Sequence, residues 1–287
     1  MQGELIHRLL RDHARTFSLT LALLPRRLRN PLSLGYLIAR AADTVADSES
    51  LTRRERRDFL RAVRDGIGNL PIGGFRTPCL PDPGTRELLG TLPELLHLLK
   101  THPDRGELQP MLLAILEGQL FDQERFPSQV PLDPRELHCY CLQVAGSVGR
   151  AWCLLQAKYG PGSITVDAGP MISKEEAYGC GLQMINILRD REDDLRRGRI
   201  YLEASRVREA IEEARRLLRE GESFLSALRP GRSLYASSLT LDLAHATLGM
   251  MERGGFRSGV RIQRSEVRRI LLFGALRLWL PRCANPA

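Results

Sequence analysis

Lysine is nearly absent from this chain. Among 42 basic residues only Lys100, Lys158 and Lys174 are lysine, so arginine supplies almost all of the +8 net charge. Arginines scattered over solvated helix faces account for most of that charge, and attraction to polyanions gains weight only where a specific site is built. Aromatic residues are scarce too, at 6%, and no basic segment is interleaved with exposed aromatics, which argues against nucleic-acid binding. Long hydrophobic runs are also missing. None reaches the roughly 18 to 20 residues needed to cross a bilayer. The opening stretch MQGELIHRLLRDHARTF is charged where a signal peptide would be apolar. The expectation is a cytoplasmic protein. Its six cysteines are scattered, and Cys139 with Cys141 has neither zinc-knuckle nor redox-pair spacing. Free, mostly buried thiols are therefore expected.

Alternating strand patterns are nearly absent, and what is present has helical period. Leu5, Leu9 and Leu10, then Leu88, Leu92, Leu95 and Leu99, mark single buried faces. Breakers fall at Leu24-Pro25, Asn30-Pro31, residues 71–83, His102-Pro103, residues 126–134, residues 160–170 and Arg229-Pro230-Gly231, predicting roughly ten helical segments. The 71–83 stretch reads as a surface loop, because helices of similar character flank it. With 287 residues, 43% of them hydrophobic, the chain is expected to fold as one all-α domain over 1–287.

Two rows of polar residues stand out against this background. Tyr36, Arg40, Asp43 and Asp47 step by four, three and four, which selects one helix face. Carboxylates one turn apart lie about 6 Å apart along the axis, a separation at which they share a cation or bind two. Arg40 on the preceding turn adds a fork suited to phosphate. Alone, this row reads more readily as a surface ion network. However, Gln183, Asn186, Asp190 and Asp194 repeat the pattern with steps of three, four and four beside apolar Leu182, Ile185 and Leu188. Carboxylates at the margin of a core need a reason, and magnesium takes such oxygen ligands together with phosphate and water. Arg189, Arg196, Arg197 and Arg199 follow with positive charge. A third stretch carries Ala145, Gly146 and Gly149 on a helix, where each glycine costs up to about 1 kcal/mol of helix propensity. Such small residues suit either tight helix packing or the close approach of a long ligand.

Four ordered segments resemble the squalene and phytoene synthases. His13-Ala-Arg-Thr-Phe17 is similar to the family's Ser-Arg-Ser-Phe motif, and Asp43-Thr-Val-Ala-Asp47 to its first aspartate motif. Tyr140-Cys-Leu-Gln-Val-Ala-Gly-Ser-Val-Gly149 resembles its Tyr-Cys-x-x-Val-Ala-Gly-x-Val-Gly segment. Residues Gln183 to Tyr201 resemble its second aspartate motif with a trailing Arg-Gly-Arg-x-Tyr. The resemblance implies an isoprenoid-synthase-type helical bundle around a central cavity and head-to-head coupling of two prenyl diphosphates. Farnesyl diphosphate is the expected substrate, passing through presqualene diphosphate to squalene.

It further implies that about two or three magnesium ions are held by Asp43, Asp47, Asn186, Asp190 and Asp194, with Tyr140 at the reacting centre. Arg15, Phe17, Tyr36, Arg40, Val144, Gly146, Gln183, Arg199 and Tyr201 are implied to contact substrate. NADPH is the reductant in the squalene branch; dehydrosqualene, phytoene or presqualene diphosphate as end products need none. The resemblance leaves that choice open.

Some positions depart from the pattern. Ala46 replaces an acidic residue, and Glu203 stands where relatives often have proline. The segment from Glu266 to Cys283 is read as a core-closing helix in preference to a peripheral membrane contact, and a monomer is expected. A terpene cyclase shares the metal–diphosphate logic but mixes Asn, Ser and Glu in its second motif. Non-catalytic relatives tend to lose the aspartates, and all four are present here.

Overall fold

The computed structural model describes residues 5–6, 8–10, 16–68, 77–78, 80–160, 168–254, 262–263 and 265–271, without the side chains of 16–19, 127 and 168. Among these residues there is no strand, as the missing alternation predicts. The α-helices in chain order are α1 (Thr16–Leu23), α2 (Arg26–Ala46), α3 (Arg53–Gly68), α4 (Pro83–Thr101), α5 (Arg105–Arg125), α6 (Pro134–Cys141), α7 (Ser147–Tyr159), α8 (Ala168–Arg196), α9 (Val207–Ala227) and α10 (Arg232–Gly254). Residues 5–6, 8–10 and 265–271 are helical as well. No helix among the described residues is long and apolar enough to cross a membrane. One continuous apolar core runs from Leu9 to Met251 and joins α1 to α10.

The boundary signals act as expected at Pro25, Pro103, Pro134 and Pro230. The expected break at Asn30-Pro31 does not occur, and α2 continues through a buried Pro31. The ring costs one hydrogen bond near the start of the helix, and burial in the core offsets it. Pro170 likewise falls in the first turn of α8, where the backbone N–H has no intrahelical partner in any case. Most of the 71–83 loop and residues 272–287 of the C-terminal segment lie outside the described residues.

α6 is short but its start is well fixed. Asp133 accepts from the N–H of Arg135 and Glu136, and the Glu136 carboxylate accepts in return from the Asp133 N–H. Arg125 grips the same Glu136 with two hydrogen bonds of 2.8 and 3.0 Å, and the Leu132 N–H donates to the carbonyl of Ile200. These contacts fix the position of Tyr140, two residues before a five-residue π-helical stretch, Leu142–Gly146, that leads into α7. Wide turns of this kind shift side-chain register and recur at functional sites.

The small-residue stretch makes close helix packing. A β-carbon on Gly149 would fall on the carbonyl oxygen of Glu175, and one on Gly179 would fall on that of Ala145. The backbones of α7 and α8 therefore touch. Gly146 packs against Cys180 and the carbonyl of Glu176. Of the four cysteines among the described residues, Cys141, Cys153 and Cys180 are buried and all are free.

Gly149→Ala is expected to lower stability by about 1–3 kcal/mol through overpacking against backbone. Gly90→Ala, exposed within α4 with nothing within 4 Å of the new methyl, should raise it by about 0.5–1 kcal/mol. Thermal unfolding of the two variants beside the unmodified chain checks both signs.

Candidate functional site

α2, α5, α7, α8 and α10 enclose a cavity of about 610 Å³, and both aspartate rows line it. Asp43 lies in the last turn of α2 and Asp47 is its C-cap. Asp190 and Asp194 lie in the last two turns of α8. The negative ends of two helix dipoles are thus added to four carboxylates. The rows face each other across the gap, bridged at the mouth by Arg199, whose guanidinium lies 2.7 Å from Asp47. The same Arg199 and Gln123 donate to the carbonyl of Ala46, closing the end of α2. Ala46 itself is buried in the cavity wall.

Arginine neutralises three of the carboxylates: Arg40 with Asp43 at 2.7 Å, Arg199 with Asp47, and Arg189 with Asp190 through bonds of 2.8 and 2.5 Å. Asp194 has no ion-pair partner among the described residues, and burial, followed by the charges of Asp190 and Asp47 against the opposing pull of Arg199, pushes its carboxyl up to about 6. Enclosure and then the Asp47 charge raise Asp43 as well. Its side chain is 45% exposed. Arg199 is held charged even though burial works against it, because Asp47, Tyr201 and Asp122 surround it.

This donor set suits magnesium. It is all oxygen, and its carboxylates raise one another's pKa, a strain that a divalent cation relieves. Among the described residues no three carboxylate, histidine or cysteine side chains converge on one point. The rows therefore fit ions whose remaining ligands come from phosphate and water, and they do not form a closed protein cage.

Tyr36, Arg40, Val144, Gln183, Asn186, Tyr140, Arg199 and Tyr201 all line the same cavity. Gly146 does not, because it faces α8 as described above. Arg15 and the side chain of Phe17 lie outside the described residues.

Asp122 is a lining residue that sequence reasoning missed. It is 8% exposed, and its Oδ2 accepts from the hydroxyls of Tyr201 at 2.5 Å and Tyr140 at 3.2 Å, while those two rings stack with centroids 5.0 Å apart. The signal was present in α5, where Met111, Ile115, Gln119, Asp122 and Gln123 follow one helix face and turn from apolar to polar.

Set against known proteins, the sequence matches the squalene/phytoene synthase family over residues 10–206, and the chain belongs to that family. It is 31% identical over 194 residues to a phytoene synthase of Mycobacterium bovis, covering 67% of this chain and 54% of that protein. It is 30% identical over 204 residues to a presqualene diphosphate synthase of Zymomonas mobilis, covering 69% of this chain and 58% of that protein. The matched region thus spans a little over half of these relatives. Its fold is that of the solved structure of TcSQS with the ligand BPH1237, with a TM-score of 0.78 at 18% identity over 100% of this chain and 94% of that one.

The Asp122 carboxyl is pushed up to about 7 by burial, against the pull of the Tyr201 hydrogen bond and the Arg199 charge. A carboxyl raised in the folded state stabilises fully below its unfolded pKa of about 4, and that contribution is lost as pH rises through the folded value. Asp122→Asn, which keeps the shape and cannot ionise, should therefore show a Tm that falls less steeply than wild type between about pH 4 and 7. Equal slopes in pH-dependent thermal unfolding would remove Asp122 as the titrating group.

Proposed function

We propose that this protein is a magnesium-dependent prenyltransferase that joins two prenyl diphosphates head to head, using farnesyl diphosphate and forming squalene through presqualene diphosphate with release of diphosphate. The observation that carries this reading is the pair of aspartate rows facing each other across a single cavity whose remaining wall is largely apolar. Magnesium held by Asp43, Asp47, Asn186, Asp190 and Asp194 would supply positive charge to neutralise a leaving diphosphate.

The chain's own residues supply the rest. Arg40, Arg189 and Arg199 line the cavity beside the aspartates, where their guanidinium groups pair with diphosphate oxygens. Leu32, Met111, Ile115, Val148 and Leu182 form an apolar wall that seats the isoprenoid chain and keeps water from an allylic cation. Tyr140 is held by Asp122 and Tyr201, and burial, then the Asp122 charge, raises its pKa well above the usual phenol value. It therefore stays protonated and serves as an oriented hydroxyl whose ring faces the reacting carbons. Proton removal during cyclopropane closure falls to the departed diphosphate or to Asp122 through that hydroxyl.

The non-reductive branch is kept as a second reading, because the curated relatives include a phytoene synthase and a presqualene diphosphate synthase. Incubation with farnesyl diphosphate and magnesium, with and without NADPH, separates the products. Squalene formed only with NADPH supports the first reading, and a hydrocarbon or presqualene diphosphate formed without it supports the second. Asp43→Ala and Asp190→Ala should each slow diphosphate release by about 10²- to 10³-fold while far-UV circular dichroism is unchanged. Wild-type turnover in either variant refutes the assignment.

A further inference from the structure

The cavity has a second polar end, which diphosphate chemistry does not use. Three walls change from polar to apolar along the same direction: Asp122 to Ile115 and Met111, Tyr140 to Val144 and Val148, and Asp190 to Ile187 and Leu182. At the far end the walls become polar again. Glu175 lies on α8 about 22 Å along the axis from Asp190 at 1.5 Å per residue, and Trp152, Tyr178 and Ser237 line the cavity with it.

Among the described residues these groups lack partners. The Trp152 Nε1, the Tyr178 hydroxyl and the Ser237 hydroxyl are buried and make no hydrogen bond to any of them. Glu175 is 3% exposed, and burial pushes its carboxyl up to about 8, with no hydrogen bond or opposite charge from the described residues to offset it. Glu175 and Tyr178 lie three residues apart on α8 and so share a helix face, and Tyr178 is raised by burial and then by the charges of Glu175 and Asp242.

Buried polar groups are nearly always satisfied, and four without a partner among the described residues, on α7, α8 and α10 around one cavity, call for a shared partner. The indole N–H only donates and so rejects a cation, and a carboxyl that can ionise rejects an anion. A hydroxyl oxygen both donates and accepts: a water can serve all four groups, and an alcohol three of them.

We propose that the inner end of the cavity is a subsite for a neutral hydroxyl oxygen, carried by a bound water or by an alcohol at the far end of an isoprenoid chain, with Glu175, Tyr178, Trp152 and Ser237 as its partners. The alcohol source rests on the reading that the cavity seats prenyl chains.

The test uses nonreactive farnesyl thiodiphosphate and the same compound hydroxylated at its terminal methyl. Both are titrated calorimetrically, with magnesium, into the full chain, Glu175→Leu and Ser237→Ala, and the wild-type chain is crystallised without ligand. An alcohol source gives the hydroxylated compound an advantage of about three- to tenfold in wild type, the worth of one or two net hydrogen bonds, and Glu175→Leu abolishes it. A water source shows density for a water within hydrogen-bonding distance of at least two of the four groups. Dry density overturns the proposal when the hydroxylated compound has no advantage, or has one that survives both substitutions. If neither compound binds wild type, the prenyl reading of the cavity fails, and the density alone decides the subsite: water supports it and a dry end overturns it.

Discussion

Four carboxylates held across a gap cannot all be satisfied by the protein alone, and the rest of this structure is arranged around that constraint. Like charges at close range raise each other's pKa, and enclosure adds to the effect. Here the strain appears at Asp43 and Asp194. The arginines relieve it in part. Arg199 has the most to do, since it reaches from the chain beyond α8 to Asp47 and to the carbonyl that ends α2, and so fixes the separation of the two rows as well as their charge.

Holding the rows in register requires a stiff frame. The backbone contact of α7 with α8 at Gly149 and Gly179 leaves no room for either helix to slide. Tyr140 is placed by a different device, the capping box and the Arg125–Glu136 pair that fix the start of α6. The Tyr140–Tyr201–Asp122 cluster then ties α5, α6 and the irregular segment after α8 to one buried carboxyl.

Much of this was legible in the sequence. The spacing of Asp43 with Asp47 and of Asp190 with Asp194 gave their helix faces, and the absence of strand patterns gave the fold class. Less visible was anything that depends on contacts between distant segments. Asp122 carries no motif of its own, and its meaning comes from two tyrosines 18 and 79 residues away in sequence. The role of Gly146 was read too broadly, because a small residue on a helix allows a ligand or a neighbouring helix to approach and only packing decides between them. Pro31 shows the same limit, since burial overrode a local signal to break the helix.

The placement of both aspartate pairs at the C-terminal ends of their helices runs against the usual preference for cations there. The mouth of the cavity is therefore electrically hostile to a bare diphosphate, whose charge has the same sign as everything facing it except the arginines. On the function proposed above, admission depends on sequence in time: the metal would arrive first or be carried in by the substrate, so that substrate and metal together complete the site.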